Sequence, residues 1–155
     1  WLDELRKKDK KKDFLIKEKA LWEEDEDKKP FFLKIAIPKA QKNWKNLSRV
    51  AKEWTEKEQS NSEAWYEYGF ANEKLLNLDI ALKSYKKSIA LDKNNSDSLY
   101  RSALLYKKNG NLEKAKKIQK NLLLIDEVKG LELGTLLPAA ETAPEAPEVE
   151  TAPEA

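Results

Sequence analysis

The clearest pattern along the chain is the spacing of apolar residues between positions 39 and 126. In the first part of this stretch the apolar positions follow mostly in steps of three and four, at Ala40, Trp44, Leu47, Val50, Ala51 and Trp54. Such steps place side chains on one face of an α-helix. The pattern predicts a helix from Lys39 to Glu58 and four more over about 60–76, 79–91, 96–109 and 112–125.

The flanks of this stretch have different patterns. Residues 1–27 are typical of one very polar helix, which the acidic run at 23–27 should end. Residues 31–37 form a short apolar run that fits either a strand or a buried helix. Pro38 fits the first turn of the next helix, because that position needs no backbone N–H.

The composition divides the chain into three parts. Only 4 glycines are present, and Lys, Glu, Leu and Ala dominate, which favours helix over strand. After Gly134 the residues are mostly Pro, Ala, Glu and Thr, a composition that cannot build a core. We therefore predict a charged N-terminal helix over 1–27, a helical domain over 28–134 and a disordered acidic tail over 135–155.

A repetition at an interval of 34 residues runs through the helical part. Pairs at this interval include Ser62 and Ser96, Tyr66 and Tyr100, Lys74 and Lys108, Asn77 and Asn111, Ala81 and Ala115, Lys83 and Lys117, and Lys86 and Lys120. A fixed period of this length is typical of helical repeats, in which each unit buries its apolar face only against its neighbours.

At these residues the chain resembles the tetratricopeptide repeat family. The first repeat supplies Trp65, Tyr68, Gly69, Ala81, Tyr85 and Ser88, and the second Leu99, Ala103, Tyr106, Ala115 and Leu122. Departures from the family pattern are Asn72, Lys93 and Gln119, and a degenerate half-repeat with Leu47, Ala51 and Trp54 comes first. The resemblance implies an all-α solenoid of antiparallel helix hairpins, with about two and a half repeats. Apolar residues at 31–37 and 128–137 should cap its ends.

The same resemblance implies a binding surface. In this family the first helix of each hairpin lines a concave groove, and seven residues take those places here: Tyr66, Phe70, Lys74, Tyr100, Arg101, Leu104 and Lys108. An aromatic groove with a basic rim suits an amphipathic helix or an apolar peptide. The alternative is that Tyr66, Phe70 and Tyr100 pack against the chain's own flanking helix. Trp44, Trp54 and Trp65 are assigned to packing by their spacing.

Catalytic chemistry finds no support in the sequence. The chain has no histidine and no cysteine, and its glycines are isolated, so we expect no catalytic residue, no metal site and no cofactor. The net charge is +2, and Glu63, Glu73 and Asp97 on the predicted groove argue against nucleic acid. The basic run from Arg6 to Lys12 fits either a solvated helix or contact with an anionic membrane surface.

Three hypotheses about function follow. The leading one is a non-catalytic module that binds other proteins, as a scaffold or assembly factor in a larger complex. The second is a structural subunit of a multiprotein complex, held by its terminal extensions. The third, disfavoured by the groove charges, is a nucleic-acid-binding helical repeat. The sequence leaves the compartment open between cytoplasm and periplasm, with membrane association if an anchor precedes Trp1.

Overall fold

The computed structural model describes residues 26–138. The predictions for the polar helix at 1–27, its basic run and nearly all of the acidic tail fall outside this range. A 3-10 turn at Glu26–Lys28 comes first. Seven α-helices follow within the described range: α1 Phe31–Ala40, α2 Trp44–Lys57, α3 Ser62–Lys74, α4 Leu78–Leu91, α5 Ser96–Lys108, α6 Leu112–Ile125 and α7 Glu127–Leu136.

These helices belong to two compact units, which divide between Leu91 and Asp92. In the first unit α1 packs on α2, α2 on α3 and α3 on α4, so that consecutive helices form antiparallel hairpins. Its core contains Ile35, Leu47, Val50, Trp54, Ala64 and Ala71. In the second unit α6 packs on both α5 and α7, and Leu99, Ala103, Ala115, Leu122 and Leu133 are buried. The all-α prediction is confirmed.

The 34-residue period is visible in the backbone itself. The turns that precede α2, α4 and α6 each contain one residue with positive φ, namely Lys42 (54°), Leu76 (64°) and Gly110 (77°). The N–H after each of these donates to a carbonyl five residues earlier, in the pairs Asn43 to Pro38 (2.8 Å), Asn77 to Asn72 (2.9 Å) and Asn111 to Tyr106 (2.8 Å). Each hairpin therefore has the same turn between its two helices, and the hydrogen bond of this turn satisfies one of the last carbonyls of the first helix.

The role predicted for Pro38 is wrong. It lies inside α1, and the next helix begins only at Trp44, where the Asn43 side chain accepts a hydrogen bond from the N–H of Asn46 at 3.1 Å. Residues 31–37 are helical because Phe31, Ile35 and Pro38 share one inward face, of which Ile35 and Pro38 are buried. The proline is tolerated near the helix end, where its own carbonyl closes the turn. The half-repeat therefore has a first helix after all.

Two departures from the family pattern have internal hydrogen-bond partners. Asn72 is buried, and its amide donates to the carbonyl of Tyr68 at 2.8 Å. Gln119 stands one period after Tyr85, and its amide donates to the carbonyl of Gly130 in α7 at 3.2 Å. Both amides are satisfied, which buried polar groups require. Gln119 thus uses its side chain to hold the last described helix.

The predicted end caps are only partly correct. Ile35, Leu133 and Leu137 are buried, but several other residues of α1 and α7 point to solvent: Phe32, Ile37, Val128, Leu131 and Leu136. The N-terminus of α7 is fixed by Lys129, whose Nζ lies 2.8 Å from Asp126 and 3.5 Å from Asp97. The terminal helices therefore seal the core with one face and leave apolar side chains exposed on another.

Candidate protein-binding surface

Four aromatic side chains of the first unit form a continuous row, which we call the aromatic row: Trp44, Phe70, Tyr66 and Tyr85. The rings of Trp44 and Phe70 meet edge to face, with centroids 5.8 Å apart. Phe70 stacks on Tyr66 at 6.2 Å, and Tyr66 lies 5.9 Å from Tyr85. These separations are within the favourable range for aromatic pairs, so each ring restricts the next.

The buried end of the aromatic row is anchored by α3 and α4. Tyr85 is fully buried, and its hydroxyl donates to Glu73 at 2.5 Å. Its ring reaches this position because Gly69 has no side chain, since a Cβ there would stand 2.8 Å from two ring carbons. Trp44, Tyr66 and Phe70 are only half-buried, so the row changes from core to surface along its length.

Two lysines flank the exposed part of the aromatic row. The Nζ of Lys74 lies 5.3 Å from the Phe70 centroid and 5.9 Å from that of Trp44. The Nζ of Lys39, from α1, lies 5.3 Å from the Phe70 centroid. All three distances allow cation–π attraction. The ring of Phe70 therefore has two ammonium groups within 5.3 Å of its centroid.

Lys39 owes its position to a buried carboxylate. Its Nζ contacts Oε1 of Glu67 at 2.5 Å, and the Glu67 side chain is only 3% exposed. The other oxygen, Oε2, has no hydrogen-bond partner among the residues that the structure describes. An unpaired carboxylate is costly to bury, so the ion pair with Lys39 compensates for this burial and links α1 to α3.

The structure places the predicted site residues in two groups. Tyr66, Phe70 and Lys74 come together on α3, in the aromatic row and beside it. The four others lie on α5, in the second unit: Tyr100, Arg101, Leu104 and Lys108. Lys108 is exposed and the other three are half-buried.

Tyr100 already has a partner within its unit. Its hydroxyl donates to Glu132 of α7 at 3.0 Å. Burial, together with the negative charge of Glu132, raises the pKa of Tyr100 above its usual value. The alternative that this residue packs against a flanking helix therefore has direct structural support.

Sequence reasoning missed two members of this surface, Lys39 and Trp44. The spacing of Trp44 predicts a packing role, but its side chain is only half-buried and its ring contacts Phe70 of the next hairpin edge to face. Lys39 lies near the end of α1, in a segment that the sequence left open between strand and helix. The available signal was Glu67, a charged residue between Ala64 and Ala71 on an otherwise apolar face, which requires a nearby cation.

Among residues 26–138, no group of three or more carboxylates is placed to hold a metal ion. None of the helices in this range has the length and apolar character that crossing a membrane requires.

Known proteins share this architecture. The tetratricopeptide repeat family matches residues 62–95 and again residues 84–117. The tetratricopeptide repeat domain of Arabidopsis OM64 superimposes with a TM-score of 0.64 at 15% identity, over 69% of this chain and 90% of that one. The crystal structure of MamA superimposes with a TM-score of 0.62 at 18% identity, over 77% of this chain and 71% of that one. No curated protein sequence matches the chain.

The family matches cover the hairpin of α3 and α4 and the hairpin of α5 and α6 as far as residue 117. Tetratricopeptide repeat domains generally mediate protein–protein interactions and are typically non-catalytic, and no enzyme family matches the chain. The repeated turns, the close approach of Gly69 to Tyr85 and the family matches agree on one identification. The chain contains tetratricopeptide repeats over residues 62–117.

Proposed function

We propose that the chain is a non-catalytic interaction module that binds a helix or an apolar peptide of another protein. The binding residues in this proposal are those on the first helices of the hairpins: Tyr66, Phe70 and Lys74 in the first unit, and Tyr100, Arg101, Leu104 and Lys108 in the second. The proposed role is that of a scaffold or assembly factor in a larger complex. We keep 28–134 as the proposed boundaries of the domain responsible.

The observation that carries the proposal is the half-exposed part of the aromatic row, with the ammonium groups of Lys39 and Lys74 close to the Phe70 ring. Contacts between the rings already restrict the rotamers of Tyr66, Phe70 and Trp44. A partner that covers them therefore loses little binding free energy to side-chain ordering. Rigid, partly buried aromatic side chains are typical anchors of protein interfaces. The ammonium group of Lys74 favours a partner that carries a carboxylate beside its apolar residues, whereas the ammonium group of Lys39 is already paired with Glu67.

A photo-crosslinking experiment tests where the partner sits. A photoreactive residue replaces the exposed Lys74 in the full chain, and a matched variant carries it at the exposed Lys83 of α4. In extract from the source cells, the residue at Lys74 should capture a defined protein that the residue at Lys83 does not. Equal capture at both positions would refute the assignment of this surface.

The second candidate, a structural subunit held by its ends, is favoured by a separate observation. Val128 is 75% exposed and Leu131 58%, and Phe32 at the other end of the described range is 59% exposed. Exposed apolar side chains on terminal helices suit permanent neighbours in a complex. Under this candidate, a photoreactive residue at Val128 captures the partner and one at Lys74 does not.

A further inference from the structure

The outward face of α4 combines apolar and basic side chains. Ile80, Lys83, Lys87 and Leu91 follow one another in steps of three and four, so they share one face of the helix. Both lysines are exposed, Ile80 is 41% exposed and Leu91 is 36% exposed. Leu76, in the turn directly before α4, is 75% exposed. We call these five residues the outer stripe.

The repeat does not require apolar side chains at Leu76 and Ile80. The residues one period before and after these two are polar or glycine: Lys42, Asn46, Gly110 and Lys114. They form the same left-handed turn and the same start of a second helix without an apolar side chain. The two apolar residues are therefore particular to this hairpin, and the repeat accounts for neither of them.

Leu76 is unfavourable in two respects. Its backbone is left-handed, with φ 64°, a conformation that brings a Cβ too close to the following carbonyl oxygen. Its apolar side chain is also left largely in water. Gly110, one period later, makes the same turn at φ 77° without either cost. Because strained residues are concentrated at functional sites, this leucine indicates a binding role.

The charge around the outer stripe is mainly positive. Asp79 is the one acidic residue of α4, against Lys83, Lys86 and Lys87. Asp79 lies in the first turn, where a negative charge stabilises the end of the helix dipole. Among the residues that the structure describes, neither Lys83 nor Lys87 makes an ion pair. Both ammonium groups are therefore available to an anionic partner.

We infer that the outer stripe binds the surface of an anionic membrane, with α4 lying along the interface. In this arrangement Leu76, Ile80 and Leu91 enter the boundary between headgroups and acyl chains, about 5–10 Å deep. Lys83 and Lys87 lay their methylene chains on this boundary and extend their ammonium groups to the headgroup phosphates. The contact uses no residue of the exposed part of the aromatic row, so it is independent of the proposed partner site.

A membrane fits the outer stripe better than a second protein does. Protein interfaces are depleted of lysine, whereas Lys83 and Lys87 lie between the apolar residues of this stripe. Helices that rest on membranes combine apolar residues with many lysines. The stripe is also straight, since Ile80 and Leu91 are about 16 Å apart along one helix axis. Apolar side chains aligned in this way match a flat surface, which needs no complementary pocket.

A fluorescent probe at Leu76 tests the inference in the full chain. The sequence contains no cysteine, so Leu76→Cys provides a single site for an environment-sensitive nitrobenzoxadiazole label. With vesicles of equal parts phosphatidylcholine and phosphatidylserine, the emission should shift to the blue and rise at least about twofold, because the label enters the interface. Nitroxide-labelled lipids should quench it. Vesicles of phosphatidylcholine alone should cause a much smaller rise, since they carry no net charge.

The same label at Leu124 of α6 is the matched control. Leu124 is 87% exposed, so adsorption through any exposed leucine would affect this position at least as strongly as Leu76. We expect neither the blue shift nor the quenching there. Equal responses at the two positions would overturn the inference, and so would the absence of a response at Leu76.

Vesicle sedimentation separates the apolar and basic parts of the outer stripe. Leu76→Gly relieves the strained turn and keeps the helices, yet it should weaken binding at least about fivefold. Lys83→Gln with Lys87→Gln should weaken binding at least about tenfold, and this difference should disappear at 1 M salt, where the Debye length is about 3 Å. Lys117→Gln with Lys120→Gln makes the same charge change on α6 and should weaken binding less than about twofold.

The basic run from Arg6 to Lys12 is the same in every variant, so it does not account for a difference between them. Undiminished binding of Leu76→Gly would contradict the inference, because this variant retains every charge. Equal losses from the two pairs of lysine substitutions would also contradict it, because they would show a general attraction to the whole chain.

Discussion

Gly69 of α3 lies directly against the ring of Tyr85 of α4, so close that a Cβ on the glycine would stand 2.8 Å from ring carbons Cδ1 and Cε1. One period earlier the equivalent pair is Ile35 and Ala51, and one period later it is Ala103 and Gln119. A larger residue on one helix thus goes with a smaller one on the other. The hairpins of this chain keep the combined volume of the pair and exchange which helix provides it.

The first prediction tests this close approach. Gly69→Ala should lower the free energy of unfolding by about 1–3 kcal/mol, because the added methyl group must displace a fully buried ring. Denaturant unfolding of the full chain measures the change. Gly134→Ala is the matched control, since its Cβ meets only the end of the flexible Gln119 side chain and the variant gains helix propensity. Equal loss of stability in both variants would contradict the argument.

The second prediction concerns the repeated left-handed turn. Leu76 has φ 64° although it carries a side chain, and that side chain is 75% exposed. Leu76→Gly should therefore raise the free energy of unfolding by about 0.5–1 kcal/mol, because strain is relieved and little packing is lost. Gly110→Ala, at φ 77° one period later, should lower it by about 1 kcal/mol. Changes of the same sign in both variants would show that the turns are not equivalent.

The sequence predicts the helices between 60 and 126 well, because the 34-residue period and the apolar spacing agree there. At α1 the sequence leaves strand and helix open and misplaces Pro38, because a proline usually marks the start of a helix. The contact of Phe31 with Trp54, which fixes α1 on the next helix, is tertiary. The left-handed conformation of Lys42 and Leu76 could not be predicted from the sequence either, since neither residue type favours it.

The candidate site was predictable only where its residues share one helix. Tyr66, Phe70 and Lys74 follow one another in steps of four on α3, and the structure does bring them together. Lys39 and Trp44 join them through contacts between hairpins. Such contacts depend on how helices pack, which neither periodicity nor composition encodes.

The third prediction concerns the ion pair between Lys39 and Glu67. Lys39→Met should lower the free energy of unfolding by about 2–3 kcal/mol, because it leaves a buried carboxylate without its cation. Adding Glu67→Gln removes that charge while keeping the shape of the side chain, so the double variant should recover at least about 1 kcal/mol of the loss. A double-mutant cycle by denaturant unfolding measures both steps. Strictly additive losses would mean that the two groups do not interact.

The fourth prediction concerns the partner that the photo-crosslinking experiment identifies. Phe70→Leu keeps an apolar side chain on α3 but removes the ring that meets Trp44 and both lysines, so it should weaken binding at least tenfold. Tyr100→Ala should add to the loss if the second unit takes part. Calorimetric titration measures the affinity, and far-ultraviolet circular dichroism checks that the helices persist. Lys83→Ala, on α4, is the control that should leave the affinity unchanged.

The fifth prediction concerns the pH range over which the pair of Asp126 and Lys129 stabilises the start of α7. The hydrogen bonds that Lys129 donates hold the pKa of Asp126 below its ordinary value of 3.8, and the hydrogen bond to Asp126 is the main cause that raises the pKa of Lys129 above 10.5. The contribution of Asp126 is therefore present above its ordinary pKa and is lost as the pH falls through the lowered one. That of Lys129 is present below its ordinary pKa and is lost as the pH rises through the raised one.

Lys129→Met removes the shared contact and isolates this effect. The stability difference between the native chain and the variant should be constant from about pH 5 to pH 9 and should shrink below pH 3.8 and above pH 10.5. Thermal unfolding across this range measures the difference, and hydrogen exchange of the α7 amides shows where it acts. Lys114→Met, at an exposed lysine of α6, is the control: its stability difference from the native chain should not shrink at either end of the pH range. A difference that peaks near neutral pH would mean that groups other than Asp126 and Lys129 control the attachment of α7, because neither of these two titrates there.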